Sequence, residues 1–299
     1  MKYKIKVTLI LLAMFLVTQF IGLYVVNYYS SPDRNLPYGM EPTGETSPVG
    51  AASQIVIAFI IAVVLLFLLI KSNLKIVLKL WFFVVVIIAL GITFSAIIPA
   101  FRYSFILIFL LAISLAIFKI YRRNILIHNF TELLIYPGIA AIFVGLLSQW
   151  SIFLNLLVVS CILILISVYD IWAVWHSGIM QKMAKYHINT LKIFPGFLVP
   201  HITKTLRAKI KKMKKSDLKK KGVKVNIAIL GGGDIVFPII TAGVVMASLG
   251  FWPAILTILG ATAGISYLFF FGKKKKFYPA MPFITAGMFI GMALSWIIF

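Results

Sequence analysis

The chain has 299 residues, of which 62% are hydrophobic and only 12% are charged. Its mean hydropathy is +1.06, whereas an ordinary soluble domain is about 45–50% apolar and about 25% charged. These values exclude a soluble globular enzyme and a disordered chain. The single cysteine, Cys161, excludes an internal disulfide and disfavours a cysteine-based metal site.

The apolar segments predict an all-α polytopic membrane protein with nine transmembrane helices, at about 20 residues a span. The fifth segment is the least certain, because it is short and contains Pro137 and Gly138. The first begins like a signal peptide, but its apolar run exceeds the usual length of roughly 7–15 residues, so it is interpreted as a retained span. In chain order the predicted spans cover residues 5–26, 51–70, 74–98, 103–120, 133–147, 151–175, 223–247, 251–271 and 277–299.

The basic residues predict the orientation of these spans. The net charge is +22, and with nine spans 27 of the 29 lysines and arginines lie on one side, leaving only Arg34 and Arg102 on the other. By the positive-inside rule the N-terminus is cytoplasmic and the C-terminus is outside. The net positive charge is therefore explained by the orientation of the spans, and it favours contact with anionic membrane lipids over nucleic acid.

This topology divides the chain into a six-span N-terminal part (1–176), a basic cytoplasmic loop (177–222) and a three-span C-terminal part (223–299). Within the loop, residues 199–221 are too basic to pack in a core. They are predicted to form either an amphipathic helix lying on the membrane surface or a disordered segment.

The seven acidic residues can be considered individually. Three lie in the exterior loop, Asp217 lies among lysines, and Glu132 is expected near the interface, where it can reach lipid headgroups. Asp170 and Asp234 fall inside apolar segments, where a carboxylate costs about 2.5–3.5 kcal/mol on insertion scales and indicates function. No lysine or arginine lies inside a span except at its edges, so a buried ion pair explains neither aspartate.

Depth along the spans suggests that the two aspartates meet. At about 1.5 Å per residue, both lie roughly 12–15 Å from the cytoplasmic surface on antiparallel helices. Two carboxyl groups in contact share one proton near neutral pH. The ionised group can take a proton from water while the protonated group donates to a peptide carbonyl oxygen. This scheme needs no cofactor, and a metal site is not predicted, because His128, His176, His187 and His201 lack ligand spacing.

Short motifs surround both aspartates. Asp234 ends the run Gly231-Gly232-Gly233-Asp234, whose glycines permit close backbone approach. Tyr169 precedes Asp170, and its hydroxyl can bond a carboxylate or a substrate backbone. Before the last span, the prolines of Tyr278-Pro279-Ala280-Met281-Pro282 forbid a regular helix start, so this segment can pair with an extended peptide by strand addition. Taken singly, the glycines are explained by helix packing and the prolines by a loop.

Together, the three motifs in this order resemble those of the presenilin and signal peptide peptidase family of intramembrane aspartyl proteases. The resemblance implies that Asp170 and Asp234 are catalytic and that the proline-containing segment binds substrate. We expect Tyr169 and the three glycines to support the site. The predicted site residues are thus Asp170, Asp234, Tyr169, Gly231, Gly232, Gly233, Pro279, Ala280, Met281 and Pro282.

Two positions depart from the family pattern. Met281 replaces a leucine, which conserves volume. Gly232 occupies the variable position of GxGD, where a larger apolar residue is common in the family and is thought to influence substrate choice. The cytoplasmic N-terminus resembles presenilins, and we interpret the chain as an archaeal presenilin homologue of the cell membrane. Its substrates would be single-span membrane proteins or signal peptides, and the sequence leaves the need for accessory subunits open.

Three alternatives remain at this stage. A prepilin-type peptidase would carry a lysine soon after the GxGD aspartate, where this chain has Ile235-Val236-Phe237. A proton- or cation-coupled transporter would also use two intramembrane acids and a glycine-broken helix, but the chain has no internal repeat. A non-catalytic scaffold would not retain two costly aspartates.

Overall fold

The structure is a computed structural model. It describes residues 5–31, 33–40, 74–122, 124–176, 194–201, 226–272 and 278–299, with isolated positions between 47 and 68. These residues form eight α-helices and one two-stranded antiparallel sheet. In chain order they are α1 (Ile5–Tyr29), α2 (Lys75–Ile97), α3 (Ser104–Tyr121), α4 (Ile125–Leu147), α5 (Ile152–Trp175), β1 (Gly196–His201), β2 (Asn226–Gly231), α6 (Gly233–Leu249), α7 (Phe251–Phe271) and α8 (Met281–Ile298).

Seven of the described helices are long and apolar enough to cross a membrane, and α6, with 17 residues, is shorter. Many large apolar side chains on these helices are exposed, as expected where the solvent is lipid. The prediction of a helical, polytopic membrane protein is confirmed at this level. The predicted second span, 51–70, lies outside the described residues apart from isolated positions, so the number of nine spans stays a prediction.

The predicted start of the fifth span was wrong. Helix α4 begins at Ile125, eight residues before the predicted start at residue 133, and the Asn124 side chain caps it by accepting a hydrogen bond from the Leu126 amide (2.9 Å). Pro137 is accommodated in its interior. A Cβ on Gly138 would lie 2.0 Å from the Ala89 carbonyl oxygen, so this glycine allows α2 and α4 to touch backbone to backbone.

The sheet corrects two further predictions. Residues 226–231 form β2 instead of the first turns of the seventh span, and helix α6 starts only at Gly233. The strand β1 includes Val199–His201, which were predicted as a surface helix or disorder; Val199 and Phe197 are buried in the main core. The rest of that prediction, 202–221, lies outside the described residues. Short apolar runs do not distinguish a strand from a helix by periodicity, which is why residues 226–231 were misread. Residues 199–201 were misread because they were grouped with the basic residues that follow them.

Close helix contacts hold the remaining bundle together. Helix α6 is central, with Ile235, Ile239 and Val244 fully buried against α1, α4 and α7. Helices α7 and α8 pack through glycines: a Cβ on Gly260 would lie 2.1 Å from the carbonyl oxygen of Gly287. Small residues permit this approach, which supplies the packing that drives helix association in lipid.

Candidate active site

The GxGD motif is a strand-to-helix turn. Gly231 ends β2, and the Gly232 amide donates to the Pro195 carbonyl (3.2 Å) just before β1. The amides of Ile235 and Val236 then donate to the Gly232 carbonyl oxygen (3.1 and 2.9 Å), which opens α6. Asp234 is therefore the second residue of this helix, whereas the sequence placed it about ten residues into a span.

The space around this turn is tight at two of the glycines. A Cβ on Gly232 would lie 2.7 Å from the hydroxyl oxygen of Tyr136, which is closer than real Cβ contacts. A Cβ on Gly231 would lie 3.3 Å from Oδ2 of Asp234. The glycines thus leave room for a tyrosine from α4 and for the carboxylate of the motif itself.

The N-terminal end of α4 holds β1 in place. The Asn129 side chain bonds the backbone of Leu198 twice, donating to its carbonyl oxygen (2.9 Å) and accepting from its amide (3.0 Å). One residue earlier, Nε2 of His128 bonds the Gly196 carbonyl oxygen (2.9 Å). The outer edge of β1 is therefore covered by side chains, and Pro200, which lacks an amide hydrogen, fits on this edge. Sequence reasoning missed both α4 residues as parts of the site's support.

Glu132 belongs to the same support, and its predicted contact with headgroups was wrong. Its side chain is 2% exposed and forms an ion pair with Lys119 of α3, which is 4% exposed. Nε2 of His128 lies 3.7 Å from the same carboxylate. A carboxylate buried among apolar helices needs a partner, and Lys119, near the end of α3, supplies it.

Asp170 is buried (5% exposed) near the C-terminal end of α5 and meets the proline-containing segment. Its Oδ2 accepts a hydrogen bond from the Met281 amide (3.1 Å), the first residue of α8. One turn earlier on α5, the Ser167 hydroxyl is hydrogen-bonded to the Thr285 hydroxyl of α8 (2.8 Å). The structure therefore brings together Asp170 and Met281 of the proline-containing segment, a contact that the sequence did not predict. Tyr169 is half-buried, with its ring 6.2 Å from that of Trp172.

The two aspartates lie on helices that pack against each other, α5 and α6. Both helices, with α4, line a small apolar cavity. Asp170 follows the cavity residue Leu163 by seven positions, and Asp234 precedes Thr241 by seven, so each shares a helical face with a cavity residue. The two aspartates therefore lie on the helical faces of α5 and α6 that also carry cavity-lining residues. The lining residues are Phe143, Leu147, Val159, Ile162, Leu163, Phe237, Ile240 and Thr241.

An apolar helical bundle with two aspartates on adjoining helices has the architecture of an intramembrane aspartyl protease. A family model described as signal-peptide peptidase, presenilin aspartyl protease, matches residues 12–299. The chain belongs to this family. This membership confirms the class of enzyme predicted from the sequence, an intramembrane aspartic endopeptidase, and gives no support to the transporter alternative.

Two similar solved structures are each described as a presenilin family intramembrane aspartate protease. The first, in space group C222, has a TM-score of 0.64 and 17% identity, and the match covers 98% of this chain and 99% of that one. The second, in space group P2, has a TM-score of 0.61 and 15% identity, with 97% of each chain covered. At this identity the likeness shows a shared fold. No curated protein matches the sequence.

Proposed function

We propose that Asp170 and Asp234 form the catalytic dyad of this protease and hydrolyse peptide bonds within transmembrane helices of substrates. The proposal is supported by the position of the two aspartates on packed helices, α5 and α6, each on the helical face that also carries cavity-lining residues. The amide of Met281 orients the carboxyl of Asp170 (3.1 Å), and the glycine turn orients that of Asp234.

The reaction needs only the two carboxyl groups and water. The ionised aspartate takes a proton from water as the water oxygen bonds to the scissile carbonyl carbon, and the protonated aspartate donates to the carbonyl oxygen. In the tetrahedral intermediate, the aspartate that took the water proton donates it to the amide nitrogen, and the other aspartate takes a proton from a hydroxyl of the intermediate. The carbon–nitrogen bond breaks, a carboxylic acid and an amine leave, and the dyad again holds one proton. The acid and base roles are properties of the coupled pair and not of either residue.

The free edge of β2 supports a binding mode for the substrate. In an antiparallel pair, two residues that lie opposite each other either exchange backbone hydrogen bonds or both direct their backbone amide and carbonyl groups away from the partner strand. Leu198 directs its backbone to Asn129, so Ile229, which lies opposite, directs its amide and carbonyl groups to the outer edge of β2. No hydrogen bond among the described residues takes up these groups. A locally unwound substrate can add here as a strand, only a few residues before Asp234.

Strand addition also solves a problem specific to the membrane. Unwinding a substrate helix exposes its backbone amide and carbonyl groups. Each group left without a hydrogen bond in hydrocarbon costs on the order of several kcal/mol, because it has lost its hydration. Pairing with the β2 edge satisfies them. The segment of Pro279, Ala280, Met281 and Pro282 would complete the substrate site beside Asp170.

The remaining parts of the proposal concern topology and location. The chain would have nine spans with a cytoplasmic N-terminus, arranged as the six-span part (1–176), the basic loop (177–222) and the three-span part (223–299). The positive charge on one side supports cleavage near the cytoplasmic face. Substrates would be single-span proteins or signal peptides in an archaeal cell membrane.

The test is cleavage of a single-span reporter by the purified protein in liposomes, with the products identified by mass spectrometry. The wild-type protein is expected to cut within the spanning segment, and both Asp170→Asn and Asp234→Asn are expected to be inactive. Asp33→Asn, an exposed acid outside the bundle, is the matched control and should cleave normally. Cleavage that survives either dyad substitution would contradict the proposal.

A further inference from the structure

The hydroxyl of Tyr136 is a buried polar group that the dyad scheme does not use. Tyr136 lies in the middle of α4 and is 4% exposed. Its hydroxyl oxygen makes no hydrogen bond of normal geometry within the described part of the chain. An unpaired buried hydroxyl costs about 1–3 kcal/mol, and phenylalanine would avoid this cost. A tyrosine here therefore calls for a functional explanation.

The hydroxyl lies directly over the GxGD turn. Its oxygen is 2.7 Å from the place where a Cβ on Gly232 would stand. The ring is held edge-on against Phe197 of β1, with centroids 6.2 Å apart and planes at 87°. Phe197 of β1 thus holds the ring edge-on, and the absence of a side chain at Gly232 leaves room for the hydroxyl. The side chain expected at the variable position of the motif is replaced, in this chain, by one from another helix.

Two carboxylates act electrostatically on this hydroxyl: that of Glu132, which has the larger effect and is close to hydrogen-bonding distance, and that of Asp234. Glu132 lies one turn earlier on α4 and is already paired with Lys119. Asp234 has its Oδ2 over the adjacent glycine, 3.3 Å from the position of a Cβ on Gly231. The hydroxyl and the Asp234 carboxylate therefore approach adjacent residues of the same glycine turn.

We propose that Tyr136 is a positioning residue for Asp234, donating a hydrogen bond to its carboxylate when substrate is bound. The inference rests on the proposed catalytic role of Asp234. Hydrogen bonds at catalytic groups are often long in the free enzyme and shorten in the complex, so the bond from Tyr136 to Asp234 is expected to form as substrate binds. The glycine at position 232 is then required so that the donor can reach the turn.

The test compares Tyr136→Phe, which removes one oxygen atom, with a matched substitution elsewhere. Tyr29→Phe also removes a hydroxyl, but this one donates to the Ile92 carbonyl oxygen (2.8 Å) between α1 and α2. We expect Tyr136→Phe to keep or raise the melting temperature while kcat falls about 10- to 100-fold, as for loss of a hydrogen bond to a charged group. KM should be unchanged and the pH profile of kcat displaced. Tyr29→Phe should lower the melting temperature and leave kcat unchanged.

Each other outcome overturns the inference. An unchanged kcat and pH profile for Tyr136→Phe, with Asp234→Asn inactive in the same assay, removes the role of Tyr136 and leaves the dyad intact. A raised KM alone would make the hydroxyl a substrate contact. A lower melting temperature with an unmoved pH profile would make it structural. An active Asp234→Asn instead refutes the proposed function, and this inference with it.

Discussion

The buried ion pair between Lys119 and Glu132 allows a quantitative prediction about the support of the site. Glu132→Gln keeps the size of the side chain and removes its charge, which leaves the Lys119 ammonium buried and unpaired. The two side chains are 4% and 2% exposed, so solvent screens the pair very little. Breaking such a pair costs about 3–5 kcal/mol. An insertion cost of about 2.5–3.5 kcal/mol for an unpaired charge in the membrane has the same size.

Removal of both charges should have the opposite result. Replacing a buried ion pair by apolar residues of similar volume is often neutral or stabilising by about 1–4 kcal/mol. Lys119→Met with Glu132→Leu is therefore expected to restore the free energy of unfolding that Glu132→Gln loses. Because Glu132 also contacts His128, which bonds β1 at Gly196, the single variant should lose cleavage activity as well.

The assay measures the free energy of unfolding of the wild type, Glu132→Gln and the double variant in detergent micelles, with reporter cleavage measured on the same samples. Asp33→Asn serves as the exposed control and should change neither quantity. If Glu132→Gln cost less than about 1 kcal/mol, the pair would behave like an exposed one, and the reasoning would fail. It would fail equally if the double variant were as unstable as the single one.

Two further predictions concern the packing of α7 against α8 and the hydrogen bonds that hold β1. In Gly264→Ala the new Cβ would stand 2.2 Å from the Phe283 carbonyl oxygen. It should destabilise the protein by about 1–3 kcal/mol through overpacking and reduce cleavage. The control is Gly145→Ala, where the new Cβ would meet no other atom within 4 Å; it should change neither thermal unfolding nor cleavage. Asn129→Ala removes both bonds to Leu198, so hydrogen exchange at the Leu198 amide should accelerate and KM should rise. Unchanged exchange at that amide would show that Asn129 does not hold β1.

The positions of most described helices follow from the sequence, because a run of about 20 apolar residues specifies a membrane helix regardless of its partners. The intramembrane aspartates were equally readable, since a charge in an apolar run is costly and therefore conspicuous. The sequence identified Asp170 and Met281 as parts of one site. Their hydrogen bond (3.1 Å) depends on how α5 and α8 pack and could not be predicted.

The first turns of α4 could not be recognised by apolar composition. Its polar residues resemble a loop, yet Asn129 and Glu132 face inward and meet partners that are distant in sequence, Leu198 and Lys119. One local signal was available: Asn124 is a favoured N-cap residue, and its side chain accepts the Leu126 amide.

The sheet shows a similar limit. Its two strands are separated by a long basic segment, and each is too short to stand alone. Phe197 and Val199 alternate with less buried residues, which is the period of a strand. The pairing with β2 is a tertiary contact, and only this pairing turns Gly231 and Gly232 from helix residues into a turn that presents Asp234.

The most direct measurement of the central claim is the affinity of a transition-state-analogue aspartyl inhibitor for four proteins: wild type, Asp170→Asn, Asp234→Asn and the double variant. If the two carboxyls act as one site, the wild-type protein should bind one inhibitor, each single variant should lose most of the affinity, and the double variant should lose no more than the singles. Wild-type affinity in either single variant would contradict the account.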